Sequence, residues 1–177
     1  MIDAREFAKA LFLISEEEGR SDAVLEDVRL AAAVFSQNPT YVKLLDTPAV
    51  QKSEKLSLID GSLGKIDESL RNLIKILCER HSVYAYARVA AAYTELYDES
   101  RGIERVIAVT AVPMTDKQIS ALTEKLEKIT LKRVIIKNET DPEILGGIKL
   151  RYSGVQLDGS VKARLDGFEK KLKGLVI

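Results

Sequence analysis

The sequence of 177 residues contains one cysteine, Cys78, and one histidine, His81. A single cysteine excludes an internal disulfide. The two residues together are too few for a zinc site without carboxylate ligands, because zinc sites are built mainly from four sulfur and nitrogen ligands. We therefore expect Cys78 to pack in a core, His81 to lie on a surface, and the chain to hold no metal or cofactor.

Long apolar runs and an excess of one charge are also absent. No stretch reaches the roughly 20 apolar residues that a membrane-spanning helix needs. The first residues place acids before a short apolar run and three glutamates after it, unlike a signal or transit peptide. Lysine and arginine together number 27, as do aspartate and glutamate, so no overall field attracts nucleic acid or an anionic membrane. We expect a cytoplasmic protein without nucleic-acid binding or membrane insertion.

Motifs for catalysis are missing as well. The stretch "GGIKLRYSG" lacks the glycine and lysine order of a phosphate-binding loop, so the pair Gly146-Gly147 is interpreted as a bulge or a close backbone approach at the start of a strand. Without a Gly-x-Ser-x-Gly motif, a nucleophilic triad would depend on His81 near a helix end. The consecutive acids at 16–18 point in different directions on a helix and indicate a solvated helix end. We predict no catalytic residues.

The first part of the chain has helical periodicity up to about residue 102. Gly19 is placed to end a first helix, and Asp67 to cap a fifth. Two shorter segments lie between Pro39 and Gly64. We predict an N-terminal six-helix bundle over residues 1–102, with the tyrosines of the sixth helix packing between helices rather than stacking on bases. The apolar stripes are Phe7, Leu11 and Ile14; Val24, Val28, Ala31 and Phe35; Leu70, Leu73, Ile74 and Leu77; and Tyr86, Tyr93 and Tyr97.

The pattern changes after Gly102. Two segments rich in valine and isoleucine, "IERVIAVTAV" and "RVIIKNE", predict strands, and Thr115 with Gln118 predicts a capping box for a helix between them. A third strand follows, with Ile148, Leu150 and Tyr152 on one face and basic residues on the other. Gly154 and the pair Asp158-Gly159 predict turns, and Val161, Leu165, Phe168 and Leu172 predict a last helix. We expect a small α/β domain over residues 103–177 and an α+β chain overall.

Apolar residues remain that these stripes do not use. If the stripe of the first helix faces the bundle, Phe12 and Leu13 fall on either side of it, and the helix is apolar nearly all round. On the fifth helix, Ile76 lies about 110° from the centre of the stripe, next to Asn72. The two helices could form a groove for a partner's amphipathic helix, or the bundle itself could cover them. Periodicity alone leaves both interpretations open.

Three motifs together resemble the delta subunit of F-type ATP synthases, known in mitochondria as the oligomycin-sensitivity-conferring protein. "REFAKALFLISEEEG" resembles the family's opening "YAKALFELA" pattern, and "NLIKILCERHSV" resembles its fifth helix. "DPEILGGIKLRYSGVQLDGSV" resembles its C-terminal signature, in which an apolar pair precedes Gly-Gly and a basic residue precedes a turn. The motifs occur in the expected order and cover essentially the whole chain.

The resemblance implies a non-catalytic stator subunit of an ATP synthase that couples ATP synthesis to proton or other ion transport. The N-terminal domain would bind the N-terminal segments of alpha subunits, and the C-terminal domain would bind the b subunits of the peripheral stalk. The subunit would lie peripherally on the cytoplasmic face of the cell membrane and resist the torque of the rotor. The family groove between the first and fifth helices corresponds here to Phe7, Ala10, Leu11, Asn72 and Ile76.

Two departures from the family pattern affect this expectation. Phe7 stands where many members have tyrosine, so we expect an apolar contact in place of a hydroxyl contact. The ending "ERHSV" of the fifth helix differs from the family's more usual Asn-x-Arg type, which weakens inference about contacts near His81. Two alternatives from other classes are a helical RNA-binding or antitermination-like module, which predicts salt-sensitive affinity, and a small hydrolase centred on His81.

Overall fold

The computed structural model describes residues 3–144, 146–152 and 155–159. The chain divides into two compact units, Met1–Ser100 and Arg101–Ile177, each of which is considered by itself. The described residues form seven α-helices and one four-stranded sheet. The predicted α+β class is confirmed.

The first unit contains helices joined by short turns. Asp3 caps α1, where its Oδ1 accepts from the Arg5 amide at 3.0 Å, and Gly19 follows the helix at a φ of 66° that favours glycine. Asp67 caps α5 by accepting from the amides of Ser69 and Leu70. A single 3₁₀ turn, Val83–Ala85, precedes the last helix. The helices are α1 (Ala4–Glu17), α2 (Ser21–Gln37), α3 (Pro39–Asp46), α4 (Lys52–Leu63), α5 (Glu68–Glu79) and α6 (Tyr86–Ser100).

Two tyrosines of α6 occupy the centre of this core. Both side chains are buried, as predicted for interhelix packing, and their hydroxyls are buried with them rather than placed at the rim. The Tyr86 hydroxyl donates to the Val28 carbonyl oxygen at 3.2 Å. The Tyr93 hydroxyl lies 2.8 Å from the Ser15 hydroxyl and also donates to the Ser21 carbonyl oxygen. Each buried hydroxyl therefore has a partner, which avoids the cost of an unsatisfied polar group.

The buried face of α1 differs from the predicted stripe. Leu11 is buried as expected, but Ile14 is 44% exposed and Phe7 is only half-buried. Ala8 and Ser15 take the inner positions instead, and the buried Ser15 hydroxyl lies within hydrogen-bond distance of the Tyr93 hydroxyl. The prediction that Ile14 faces the bundle was wrong.

The second unit is a mixed sheet with one described helix. Strands β1 (Ile103–Thr110) and β2 (Arg133–Thr140) are parallel and joined by α7 (Asp116–Thr130), as parallel strands require a crossover. The capping box of Thr115 and Gln118 at the start of α7 is confirmed. Strands β3 (Ile148–Tyr152) and β4 (Val155–Asp158) pair antiparallel, giving the order β2-β1-β3-β4.

The remaining predictions for the C-terminal unit concern the turns, the glycine pair and the last helix. The stretch after Gly154 was predicted only as turns, yet it contains β4, a strand too short to show a periodic pattern. Gly146 and Gly147 have φ values of 152° and 87°, so both positions favour glycine just before β3. The predicted last helix, with Val161, Leu165, Phe168 and Leu172, lies outside the described residues.

Burial of Tyr86 predicts a fall in stability at alkaline pH. Burial raises the pKa of the Tyr86 phenol far above its usual value, and the nearby Asp27 carboxylate acts in the same direction. Above pH ~10 the unfolded chain therefore releases a proton that the folded chain keeps, so this contribution to stability is present below pH ~10 and lost as the pH rises. We expect the free energy of unfolding to fall more steeply with pH in the wild type than in Tyr86→Phe. The two slopes should differ by about 1.4 kcal/mol per pH unit.

Urea unfolding at several pH values between about 9.5 and 11.5 measures this difference. Tyr84→Phe, which removes an exposed phenol two residues earlier in the 3₁₀ turn, is the matched control. Equal slopes for the wild type and Tyr86→Phe would show that Tyr86 ionises as easily in the folded chain as in the unfolded one.

Candidate protein-binding groove

Helices α1 and α5 lie antiparallel, and a contact at each end fixes their register. After the C-terminal end of α1, Arg20 forms ion pairs with Glu18 and with Asp67, the N-cap of α5. Near the start of α1, the guanidinium carbon of Arg80 lies 5.5 Å from the centroid of the Phe7 ring, just after α5 ends. The two helices therefore run side by side over nearly their whole lengths.

The other helices that contact α1 and α5 show which flanks of these two helices face each other. On its far flank, α1 contacts α6, where the Phe12 ring meets the Tyr93 ring edge-on at 5.8 Å. On its far flank, α5 contacts α4, where Lys75 forms an ion pair with Asp60 at 2.6 Å. The remaining flanks of α1 and α5 face each other, with Phe7 and Ile14 on one side and Leu73 and Ile76 on the other by helical spacing.

Apolar side chains stay exposed along this boundary. Ile76 on α5 is 45% exposed, and Ile14 on α1 is exposed to the same degree. Ala10 and Asn72 are exposed beside them, and Phe7 is half-buried. Fully burying a side chain such as isoleucine contributes about 1.5–3 kcal/mol, so roughly half of that remains available to a partner at each isoleucine. These exposed and half-buried residues, Phe7, Ala10, Ile14, Asn72 and Ile76, are called the α1–α5 groove below.

The charges at the two ends of the groove have defined partners. Hydrogen bonding to Glu18 is the main cause that raises the pKa of Arg20, so this guanidinium stays charged throughout the usual pH range. Arg80 rests on the Phe7 ring, where a cation is attracted by the negative face of the aromatic system. The middle of the groove carries apolar side chains and one amide, so a docked segment meets no buried charge there.

The five residues assigned from the sequence are only partly brought together at the surface. Phe7, Ala10, Asn72 and Ile76 are exposed or half-buried, and helical spacing puts them on the flanks of α1 and α5 that face each other. Leu11 is 2% exposed and belongs to the core, so it offers no surface to a partner. Ile14 was assigned to the core stripe, but it is 44% exposed and lies on the same flank of α1 as Phe7 by helical spacing. Helical spacing from Phe7 through Ala10 to Ile14 is the signal that could have identified it.

The structure gives no support to a catalytic centre at His81. As predicted, this side chain is exposed, and its Nδ1 lies 2.9 Å from the Asp46 carbonyl oxygen. The neighbouring Ser82 hydroxyl donates to the Arg80 carbonyl oxygen instead of to the ring. Cys78 is buried, as predicted, and its thiol donates to the Leu45 carbonyl oxygen. In the described ranges, no three His, Cys, Asp or Glu residues form a group suited to a metal ion.

These features define a class of protein: a helical unit with exposed apolar side chains along two neighbouring helices, followed in sequence by a small mixed sheet. Residues 4–172 match the family described as ATP synthase delta (OSCP) subunit. The chain is 31% identical over 175 residues to ATP synthase subunit delta of Clostridioides difficile strain 630, covering 98% of this chain and 97% of that protein. It is 32% identical over 177 residues to ATP synthase subunit delta of Geobacillus sp. strain WCH70, covering 98% of each.

A solved structure shows the same fold. A chain of the Toxoplasma gondii mitochondrial ATP synthase hexamer superimposes with a TM-score of 0.78 at 21% identity, covering 97% of this chain and 98% of that one. This chain belongs to the ATP synthase delta (OSCP) subunit family. The resemblance inferred from the three motifs is confirmed, and with it the prediction of a non-catalytic, structural subunit of ATP synthase. The RNA-binding and hydrolase alternatives are set aside.

The exchanged roles of Leu11 and Ile14 predict truncation effects of different size. Leu11→Ala removes a buried side chain and should lower the free energy of unfolding by about 2–5 kcal/mol. Ile14→Ala removes an exposed side chain on the same helix and should change it by less than about 1 kcal/mol. Urea unfolding of the two variants checks the difference, and a larger loss for Ile14→Ala than for Leu11→Ala would contradict the placement of both residues.

Proposed function

We propose that this chain is a stator subunit that joins the catalytic head of an F-type ATP synthase to its peripheral stalk. In this role the first unit binds the N-terminal segments of alpha subunits, and the second unit binds b subunits. The joint resists the torque that the rotating central stalk exerts on the head while ATP synthesis is coupled to ion transport. Family membership supports the role, and the exposed apolar boundary of α1 and α5 is the observation that supports the binding surface.

The shape of the groove favours an amphipathic helix as its occupant. Two antiparallel helices form a straight channel, and a third helix laid in it buries apolar side chains at positions i, i+3, i+4 and i+7. Ile14 and Ile76 provide apolar contacts on the two sides of the channel. Asn72 adds a hydrogen-bonding amide, which orients a bound segment without the desolvation cost of a charge.

The proposed stalk contact rests on the second unit and on its likeness to the family. This unit presents its own exposed apolar side chains, among them Val112, Ile129 and Leu131. Exposed apolar surface of this kind is typical of subunits that function inside an assembly. The same proposal includes the binding of b subunits by this unit. It also includes a finer architecture, in which a six-helix bundle on residues 1–102 is followed by a small α/β domain on residues 103–177.

We also propose a peripheral location on the cytoplasmic face of the cell membrane. Over the residues that the structure describes, no helix is both long enough and apolar enough to cross a bilayer. Attachment to the membrane would then come from the rest of the ATP synthase through protein contacts.

Binding of an alpha-subunit peptide to the full chain tests the groove. A synthetic peptide with the sequence of the N-terminal segment of the alpha subunit from the same organism should bind the wild type saturably in isothermal titration calorimetry. Ile76→Arg should weaken binding by at least about tenfold, because it replaces an apolar contact by a charge that must be desolvated. Ile14→Arg should act alike on the other side of the channel.

Leu58→Arg is the matched control, since Leu58 is also a partly exposed apolar residue but lies on α4. It should leave peptide affinity within about twofold of the wild type. Circular dichroism and urea unfolding confirm that each variant is folded before it is titrated. Equal peptide affinity for Ile76→Arg, Ile14→Arg and the wild type would show that the peptide does not use the α1–α5 groove.

A further inference from the structure

A second concave site lies on the opposite flank of α5 from the α1–α5 groove. Its volume is 430 Å³, which is within the range of small-molecule pockets. The start of α4 and the end of α5 form its walls, with polar side chains from Gln51, Lys52, Lys55, Glu79 and His81 and with apolar side chains beside them. This site is called the α4–α5 pocket.

Lys55 is the unusual member of the pocket lining. Only 4% of this residue is exposed, although lysine is rarely so buried without a partner. No hydrogen bond or ion pair joins its ammonium group to another residue in the described ranges. Among the described residues, every side-chain nitrogen or oxygen that is fully shielded from solvent has a hydrogen-bond partner. Because the Lys55 ammonium group has no such partner, it must contribute to the small exposed area of this residue. The ammonium group therefore opens into the α4–α5 pocket, which Lys55 lines.

The first turn of α4 adds hydrogen-bond donors to the same pocket. This 12-residue helix begins at Lys52, and the N-cap residue Gln51 makes no side-chain capping hydrogen bond. The first amides of a helix have no partner inside it and carry the positive end of the helix dipole. Free amides beside a buried ammonium group are the arrangement that binds tetrahedral oxyanions.

Two carboxylates near the pocket already have partners. Glu79 forms an ion pair with Lys52, with its Oε1 2.9 Å from Nζ. Asp46 accepts from the amides of Val83 and Tyr84 at 2.7 and 2.9 Å. Once these contacts are counted, Lys55 is the one lysine of the pocket lining that has no ion pair or hydrogen bond among the described residues. An unpaired buried charge is costly, so an anion that enters the pocket is stabilised by relieving that cost.

The thiol next to Lys55 does not supply the missing charge. Burial raises the pKa of the Cys78 thiol, and the Lys55 ammonium only partly opposes this rise. Cys78 therefore stays neutral at physiological pH, and its hydrogen donates to the Leu45 carbonyl oxygen.

We propose that the α4–α5 pocket binds a phosphate oxyanion, held by the Lys55 ammonium and the first amides of α4. Lys52 stands at the mouth, where its ion pair with Glu79 balances the charge of that carboxylate. The oxyanion is either free inorganic phosphate or the phosphoryl end of a nucleotide, because the recognising groups are the same for both. This inference is independent of the proposed contact with alpha subunits, because it uses the other flank of α5.

Titration of the ¹⁵N-labelled full chain with sodium phosphate tests the proposal by NMR. Sodium chloride replaces phosphate at constant ionic strength, so that nonspecific screening is held fixed. We expect saturable shifts of the amide signals of Lys52, Ser53 and Glu54. Lys55→Met keeps the apolar stem of the side chain and removes its charge, and it should weaken phosphate binding by at least about tenfold. Lys65→Met, an exposed lysine beyond the end of α4, should leave binding unchanged.

Separate titrations with ADP and with adenosine distinguish the sources of the oxyanion. If ADP binds more tightly than phosphate and adenosine does not bind, the ligand is a nucleotide. If ADP and phosphate bind equally, the ligand is free phosphate. Both results support the site. If Lys55→Met does not fold, Lys52→Glu reverses an exposed charge at the mouth and should weaken binding by at least about fivefold. The absence of saturable shifts with every ligand, or equal binding by the tested site variant and Lys65→Met, would overturn the proposal.

Discussion

The antiparallel packing of α1 against α5 is the constraint on which the proposed binding surface depends. Arg20 joins the end of α1 to the N-cap of α5, and Arg80 covers Phe7 at the other end. The opposite flank of α1 is held by Tyr93, whose hydroxyl needs Ser15 beside it. These contacts fix the rotation of α1 about its axis. With that rotation, Ile14 lies at the boundary with α5 and remains exposed.

Much of the fold was predictable because local signals and burial agree. Asp67 as a cap, the capping box at Thr115 and the change of period after Gly102 all correspond to observed elements. The rotation of α1 was not predictable in the same way. Its apolar residues cover more than half of the helix circumference, so periodicity allows several inner faces. Only the tertiary contact with Tyr93 decides in favour of Ala8 and Ser15 over the larger Ile14.

In the C-terminal signature, the glycine pair is not evidence of a ligand-binding site. Gly146 and Gly147 both adopt positive φ, which explains the pair without any ligand. The strand that follows lies between β1 and β4, with Arg151 paired to Glu139 on one face. Strand β4 ends just before Gly159 and has only four residues, which is too short for an alternating pattern to predict it from the sequence. The motif therefore specifies backbone shape. The α4–α5 pocket was missed for a related reason, since burial of Lys55 depends on neighbouring helices.

Thiol labelling in the assembled ATP synthase is the most direct measurement of the central claim. Ile14→Cys and Leu58→Cys each place one new thiol on exposed helix surface, while the native Cys78 is buried. In the free chain both new thiols should react with a maleimide at similar rates. In the purified complex, Cys at position 14 should be protected by at least about tenfold relative to position 58, because a partner helix covers it. Undiminished labelling at position 14 in the complex would contradict the account.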